Sequence, residues 1–247
     1  MMIYNSETGN SSYTPMLWET DDIFSNQVAA SRNDAVVAKE YIEEQHFALA
    51  KDFDAQDKLT AINLSHYGLI NQFQLGFGDS SFIDSLSKDC SGEKDSLRRL
   101  RLIDSFDKGI FDGFIIFPLY NGIYYIPVGA YGYILNPKEG YEPDLVRFWN
   151  KEAAGIFNMS AVNAFSDLVV CQSPITACQL IERGIENVVA VRGNGDIAKQ
   201  FYEMFKHLPT QSVRLISEGD RYGLHWKEQI SEAMRWLNIE CNDFFDA

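Results

Sequence analysis

Residues 167–191 read Asp167-Leu168-Val169-Val170-Cys171-Gln172-Ser173-Pro174-Ile175-Thr176-Ala177-Cys178-Gln179-Leu180-Ile181-Glu182-Arg183-Gly184-Ile185-Glu186-Asn187-Val188-Val189-Ala190-Val191. The run from Asp167 to Cys171 is a short apolar strand. Pro174 to Arg183 is a helix with its proline near the first turn, where a missing N–H costs nothing. Asn187 to Val191 is a second apolar strand. Strand, helix and strand with such short connections predict a parallel pair with a crossover helix.

The same alternation continues toward the C-terminus. Asp196 to Leu208 reads as a helix with Ile197, Phe201, Met204, Phe205 and Leu208 on one face, and Val213 to Ser217 as a third strand. Leu224 to Leu237 reads as a last helix carrying Leu224, Ile230, Met234 and Leu237. The order predicts an α/β unit with a mostly parallel sheet flanked by helices.

In such sheets ligands bind beyond the carboxyl ends of the strands. After the third strand comes Glu218-Gly219-Asp220-Arg221-Tyr222-Gly223, in which two carboxylates leave the strand end on a turn. An acidic pair of this kind holds a hard cation such as Mg²⁺ or Mn²⁺ through oxygen, though two carboxylates alone give a weak, open site and acidic turns are common on surfaces. After the second strand comes Arg192-Gly193-Asn194-Gly195-Asp196. Gly193 and Asn194, with Arg221, are the candidates for nucleotide phosphate binding at free backbone N–H groups. Asp196 is more simply the cap of the helix it precedes, because no full G-x-G-x-x-G fingerprint is present. Gln172-Ser173-Pro174, after the first strand, offers no carboxylate.

Upstream the rhythm differs. Residues 1–16 are rich in Asn, Ser and Thr and read as a loose arm. Val37, Tyr41, Ile42 and Leu49 recur at helical spacing between Asp34 and Phe53. Short helical pieces follow around Lys58 to Tyr67, Asn71 to Phe73 and Phe82 to Ser87, then a charged helix from Lys94 to Leu102 whose Arg98, Arg99 and Arg101 read as a solvated face. Between Phe111 and Leu135, aromatic and aliphatic residues alternate around Asn121-Gly122, predicting a β-hairpin or meander. The polar stretch Asn136 to Asp144 is a linker or loop between the two regions. The expected organisation is an arm (1–33), an α+β subdomain (34–150) and an α/β subdomain (151–247).

Composition narrows the function. The 247 residues carry 21 Lys+Arg against 35 Asp+Glu, a formal charge of −14, which argues against a generic basic nucleic-acid binder. At 46% hydrophobic and 13% aromatic, the chain is globular in type. No apolar run is long enough to span a bilayer and the first residues lack a signal-peptide pattern, so a soluble cytoplasmic protein without membrane contact is expected. Cys90, Cys171, Cys178 and Cys241 form no C-x-x-C pair and read as buried thiols, with no zinc. His46, His66, His207 and His225 show no metal-ligand spacing. No nucleophile elbow or Walker phosphate loop is present.

Taken together, Leu168 to Ala177, Arg183 to Ala190 and Leu215 to Gly223 resemble the TOPRIM domain of bacterial-type DNA primases. The likeness extends upstream through His66-Tyr67-Gly68-Leu69, Phe73-Gln74-Leu75-Gly76-Phe77, Ile116-Phe117-Pro118-Leu119, Gly129-Ala130-Tyr131-Gly132 and Arg147-Phe148-Trp149-Asn150, with segment order preserved over roughly residues 35–245. The resemblance implies a primase catalytic core in a degenerate form, its α+β subdomain packed on a TOPRIM-like α/β subdomain. The family's zinc-binding template module and helicase-binding tail are not expected. In the family, a Glu after the first TOPRIM strand and an Asp-x-Asp after the third hold metal ions. Those positions fall on Gln172, Glu218 and Asp220, and a further family Asp falls on Thr176. Three family arginines fall on Tyr67, Phe114 and Tyr133, while Arg147 and Arg221 survive. Aromatics in place of cations weaken the attraction to phosphate, though such rings can stack bases or contact protein.

Three readings follow. The leading one is a primase-like protein of a replication, mobile-element or phage setting, with primer synthesis lost or much reduced, acting by binding or regulation. Its contacts with single-stranded DNA or nucleotide would be weak, through Arg147, Arg221, Tyr67, Phe114 and Tyr133. The alternative is an active Mg²⁺- or Mn²⁺-dependent nucleotidyl transferase or nuclease using Glu218 and Asp220, completed by Asp196, Asp243 or a partner chain. The third is an acidic interaction subunit that meets a replication protein or another basic partner.

Overall fold

The computed structural model describes residues 32–64, 67–86, 91–120, 126–134, 146–149, 155–191 and 197–244. Helix α1 (Arg32–Lys51) buries Val37, Tyr41, Ile42 and Leu49, the stripe that its sequence spacing predicts, together with Ala38. Asp52 then caps α2 (Phe53–Ala61), accepting the Ala55 N–H at 2.9 Å. Short helices α3 (Tyr67–Gln72) and α4 (Ser81–Ser85) flank the two-residue strand β1 (Gly76–Phe77), and α5 (Ser91–Arg99) follows. Arg98 and Arg99 are less free than a solvated face implies. Arg98 pairs with Asp95 and Asp107 at 2.8 and 2.6 Å, and Arg99 reaches the nearly buried Asp34 of α1 at 2.6 Å.

Strands β2 (Ile115–Tyr120) and β3 (Pro127–Tyr133) form the expected antiparallel pair, whose turn at Asn121-Gly122 lies outside the described residues, as does the stretch Asn136 to Asp144. With β1 and β4 (Val146–Trp149) they make a four-stranded antiparallel sheet in the order β1-β2-β3-β4. Both faces of β2 are buried. Ile115, Phe117 and Leu119 face one apolar cluster, and Ile116 faces another together with Val37, Tyr41, Phe111 and Phe114.

The C-terminal sheet is parallel throughout. After α6 (Met159–Ala164) come β5 (Asp167–Cys171), α7 (Pro174–Glu182), β6 (Val188–Ala190), α8 (Ile197–Phe205), β7 (Ser212–Ile216), α9 (Arg221–Leu237) and β8 (Glu240–Asp243). Strand order is β6-β5-β7-β8, with Val169 opposite Val188 and Arg214, and Leu215 opposite Asp243. The three strands read from sequence fall within a residue or so of these bounds, and β8 adds a fourth at the edge. Helix α7 ends in a paired-hydrogen-bond cap: Gly184, at φ +87°, donates to Ile181 O, and Ile185 donates to Leu180 O.

The two sheets share one apolar core. Ile115, Phe117 and Tyr131 of the first sheet meet Val169, Cys171, Val188 and Ala190 of the second in a single cluster, with Phe157 between them. Phe157 packs at a tilt against Phe73, ring centroids 4.8 Å apart, and edge-on to Phe117 at 6.0 Å. Its neighbour Ile156 exchanges both backbone hydrogen bonds with Tyr120, while Phe157 exchanges both with Ala190, so two consecutive residues stitch β2 to β6. Among the described residues no helix is long and apolar enough to cross a membrane.

Candidate functional site

The carboxyl ends of β5 and β7 lie side by side because these strands pair directly, Cys171 opposite Ile216. Each chain then turns away into a helix. Beyond β5, Gln172 is only 2% exposed and its Oε1 accepts the Glu218 backbone N–H at 2.7 Å. Ser173 caps α7 by accepting the Ile175 N–H at 3.2 Å, with Pro174 in the first turn. Gln172 therefore serves as a strap between the two strand ends. Thr176 sits half-buried in the first turn of α7.

Beyond β7, Glu218, Gly219 and Asp220 are exposed. Asp220 is the N-cap of α9, its Oδ1 accepting the Gly223 N–H at 2.6 Å. Gly223 fits there because it lacks a side chain. A Cβ at that position would lie 1.9 Å from the Glu218 carbonyl oxygen. The Glu218 peptide is thus held on both sides, its N–H by Gln172 and its carbonyl against Gly223, while its carboxylate points to solvent. Arg221 and Tyr222 open α9 and are exposed.

Below these loops the strands are buried, Val170, Cys171 and Leu215 each at 2% exposure or less. Burial pushes the Cys171 thiol up to about 12, with the nearby Glu218 charge acting in the same direction and a hydrogen bond to the Ser173 carbonyl opposing both. Cys178, on the buried face of α7, is raised well above the ordinary thiol value by burial, and half-buried Cys241 is also raised. None of the three is a poised nucleophile at neutral pH.

A divalent metal fits this donor set poorly. Gln172 supplies no charge and its oxygen is already engaged; Asp220 has one oxygen committed to its helix; Glu218 remains. Among the described residues no group of three or more His, Cys, Asp or Glu is arranged to hold a metal ion. Asp243, a candidate to complete the site, is paired with Lys227. Asp196, Gly193 and Asn194 lie outside the described residues.

The nucleic-acid candidates separate. Tyr67 opens α3 and is 56% exposed, and Tyr133 is half-buried at the end of β3, opposite Ile115. Phe114 corrects the sequence reading: at 2% exposure it is a core residue and cannot stack a base. Its ring packs edge-on to Phe111 and carries the Arg147 guanidinium 4.5 Å above it. Arg147 also donates to the Ile110 carbonyl, so this cation is anchored to its own surface. Leu224 is likewise exposed, not buried; Gly223, Trp226, Ile230, Ala233 and Met234 form the stripe of α9 that faces the core. Trp226 donates its indole N–H to Val191 at 2.9 Å, tying α9 to the end of β6. The i, i+4, i+8 spacing of Trp226, Ile230 and Met234 carries that signal in the sequence.

No family model matches the sequence, and no curated protein matches it. Solved structures do. The zinc-binding and RNA polymerase domains of the Aquifex aeolicus primase superpose with a TM-score of 0.70 at 16% identity, over 89% of this chain and 57% of that one. A DnaG primase catalytic domain bound to single-stranded DNA gives 0.65 at 16% identity over 81% of this chain and 65% of that one. A DNA primase domain from Pseudomonas aeruginosa gives 0.65 at 17% over 81% and 66%. This chain spans less than two thirds of each of these structures. Two packed sheets in this order, one antiparallel and one parallel, give the chain the fold of the catalytic core of bacterial DnaG primases.

Proposed function

We propose that this chain is a degenerate primase core: a TOPRIM-like α/β unit (151–247) with its α+β partner (34–150), acting in the cytoplasm by binding or regulation. Its setting is DNA replication, in a phage or mobile element. The observation that carries this reading is the Gln172 strap. Phosphoryl transfer by metal ions requires clustered carboxylates to hold the cations against the substrate phosphates. At the strand ends here the central position is a neutral amide whose oxygen already accepts the Glu218 N–H.

The surface supports the same conclusion. Cations attract nucleic-acid phosphate, yet two of the family's arginine positions carry Tyr67 and Tyr133, a third carries the buried Phe114, and the whole chain has a charge of −14. Contacts with single-stranded DNA through Arg147, Arg221, Tyr67 and Tyr133 are accordingly weak, and with only two cations among them their salt dependence is shallow. The test is template-directed synthesis on single-stranded DNA with ribonucleotides and Mg²⁺ or Mn²⁺. The reading expects no primers above the protein-free control. Primers made by the wild-type chain and lost in Glu218→Gln would overturn it.

A further inference from the structure

Away from the strand ends, the end of α1, the start of α2 and the segment from β1 to α4 enclose an open concavity of about 470 Å³. Three phenyl rings line it: Phe47 is 53% exposed, Phe53 is 76% exposed, and Phe77, of strand β1, is half-buried. Aromatic groups this exposed lose apolar contact with no internal gain, and in globular proteins contiguous patches of them mark binding surfaces.

The polar part of the lining is of one sign. Glu44, Asp52, Asp54 and Asp79 stand around the rings, against Lys51 alone. Asp52 caps α2, and Asp79 accepts both the N–H and the hydroxyl of Ser81, so these two shape the rim. Among the described residues no cation pairs with Glu44 or Asp54.

We propose that this groove docks a basic peptide segment of a partner protein, with apolar side chains set against Phe47 and Phe53 and Lys or Arg heads against Glu44 and Asp54. Charge decides the occupant. A nucleic acid would bring phosphates to a rim of carboxylates, whereas an Arg or Lys side chain gains both the ion pair and the ring face beneath it. A second copy of this chain brings a net charge of −14. Residues 1–31 hold Glu7, Glu19, Asp21 and Asp22 and neither Lys nor Arg, so the chain's own first segment lacks the complementary charge. This site is built from residues that play no part at the strand ends, and it stands whether or not primer synthesis is lost.

The experiment is selection of short random peptides displayed on phage against the full chain, followed by fluorescence anisotropy with the best recovered peptide. Recovered peptides are expected to be net positive with at least one large apolar residue. Affinity should fall about tenfold in Phe47→Ser/Phe53→Ser and in Glu44→Lys/Asp54→Lys, and stay unchanged in Phe106→Ser, an exposed ring elsewhere. Added salt should weaken it. All four groove positions are exposed, so the variants should keep the wild-type melting temperature. Recovery of neutral or acidic peptides, no recovery, or an affinity indifferent to the groove variants would each overturn the proposal.

Discussion

The side-chain oxygen of Gln172 accepts the backbone N–H of Glu218 at 2.7 Å, joining the ends of two parallel strands through a nearly buried amide. Removing it in Gln172→Ala leaves the Glu218 N–H short of a partner and opens a gap under the loop. The expected cost is about 1–3 kcal/mol, read as a lower denaturation midpoint.

Gln172→Glu separates geometry from charge. A carboxylate there can still accept the Glu218 N–H, but burial and the neighbouring Glu218 charge both raise its folded pKa above the unfolded value of about 4.3. The folded state then holds its proton longer than the unfolded one. Gln172→Glu should therefore match wild-type stability in acid and lose ground as pH rises from about 4.3 through the folded pKa, after which the deficit levels off. Chemical denaturation across the range from acid to mildly alkaline pH checks this, and a pH-independent difference would contradict it.

Asp220 is predicted to matter as a helix cap. Asp220→Asn keeps an acceptor for the Gly223 N–H and should be nearly neutral in stability, while Asp220→Ala should cost about 1 kcal/mol. Gly223→Ala should cost more, about 1–3 kcal/mol, because its methyl would press on the Glu218 carbonyl.

These local predictions also mark what is legible in the sequence. The alternation of Val-rich runs with amphipathic helices is strong in residues 167–237, and the parallel sheet follows from it. The hairpin is equally plain, but its faces are not. An aromatic and aliphatic run such as Phe114 to Phe117 looks half-exposed when read as alternation, whereas helices covering one side of the sheet and the second sheet covering the other bury both faces of β2. Phe114 is assigned from the resemblance, at a family arginine position, and such a likeness carries no information on burial: here the ring lies in the core with Ile116. Strands β1, β4 and β8 and helix α6 are only two to six residues long, too short to show a period, and exist through pairing and packing: Gly76 opposite Ile116, Gly132 opposite Arg147, Ser212 opposite Glu240. At the site, the lack of a carboxylate in Gln172-Ser173-Pro174 is visible in the sequence. The strap is not, because its partner is a backbone group 46 residues away.

The thiols give a prediction at the other end of the pH scale. Cys171 holds its proton to about 12 in the folded chain because it is buried, against 9.0 for an ordinary thiol, so folding is favoured below about 9 and loses that contribution as pH climbs toward 12. Stability should fall in this window, and Cys171→Ala should flatten the fall. At mildly alkaline pH, Cys171 and Cys178 should resist alkylation in the native state and react after denaturation, read by mass spectrometry of each site.

The proposed lack of primer synthesis rests on strand ends that do not hold the cations of phosphoryl transfer. Calorimetric titration of Mn²⁺ into the wild-type chain and into Glu218→Gln/Asp220→Asn tests it most directly, since the Asp220→Asn change preserves the helix cap and only the charges differ. The account predicts no saturable heat for either protein at millimolar metal. Saturable binding to wild type that disappears in the double variant would contradict it.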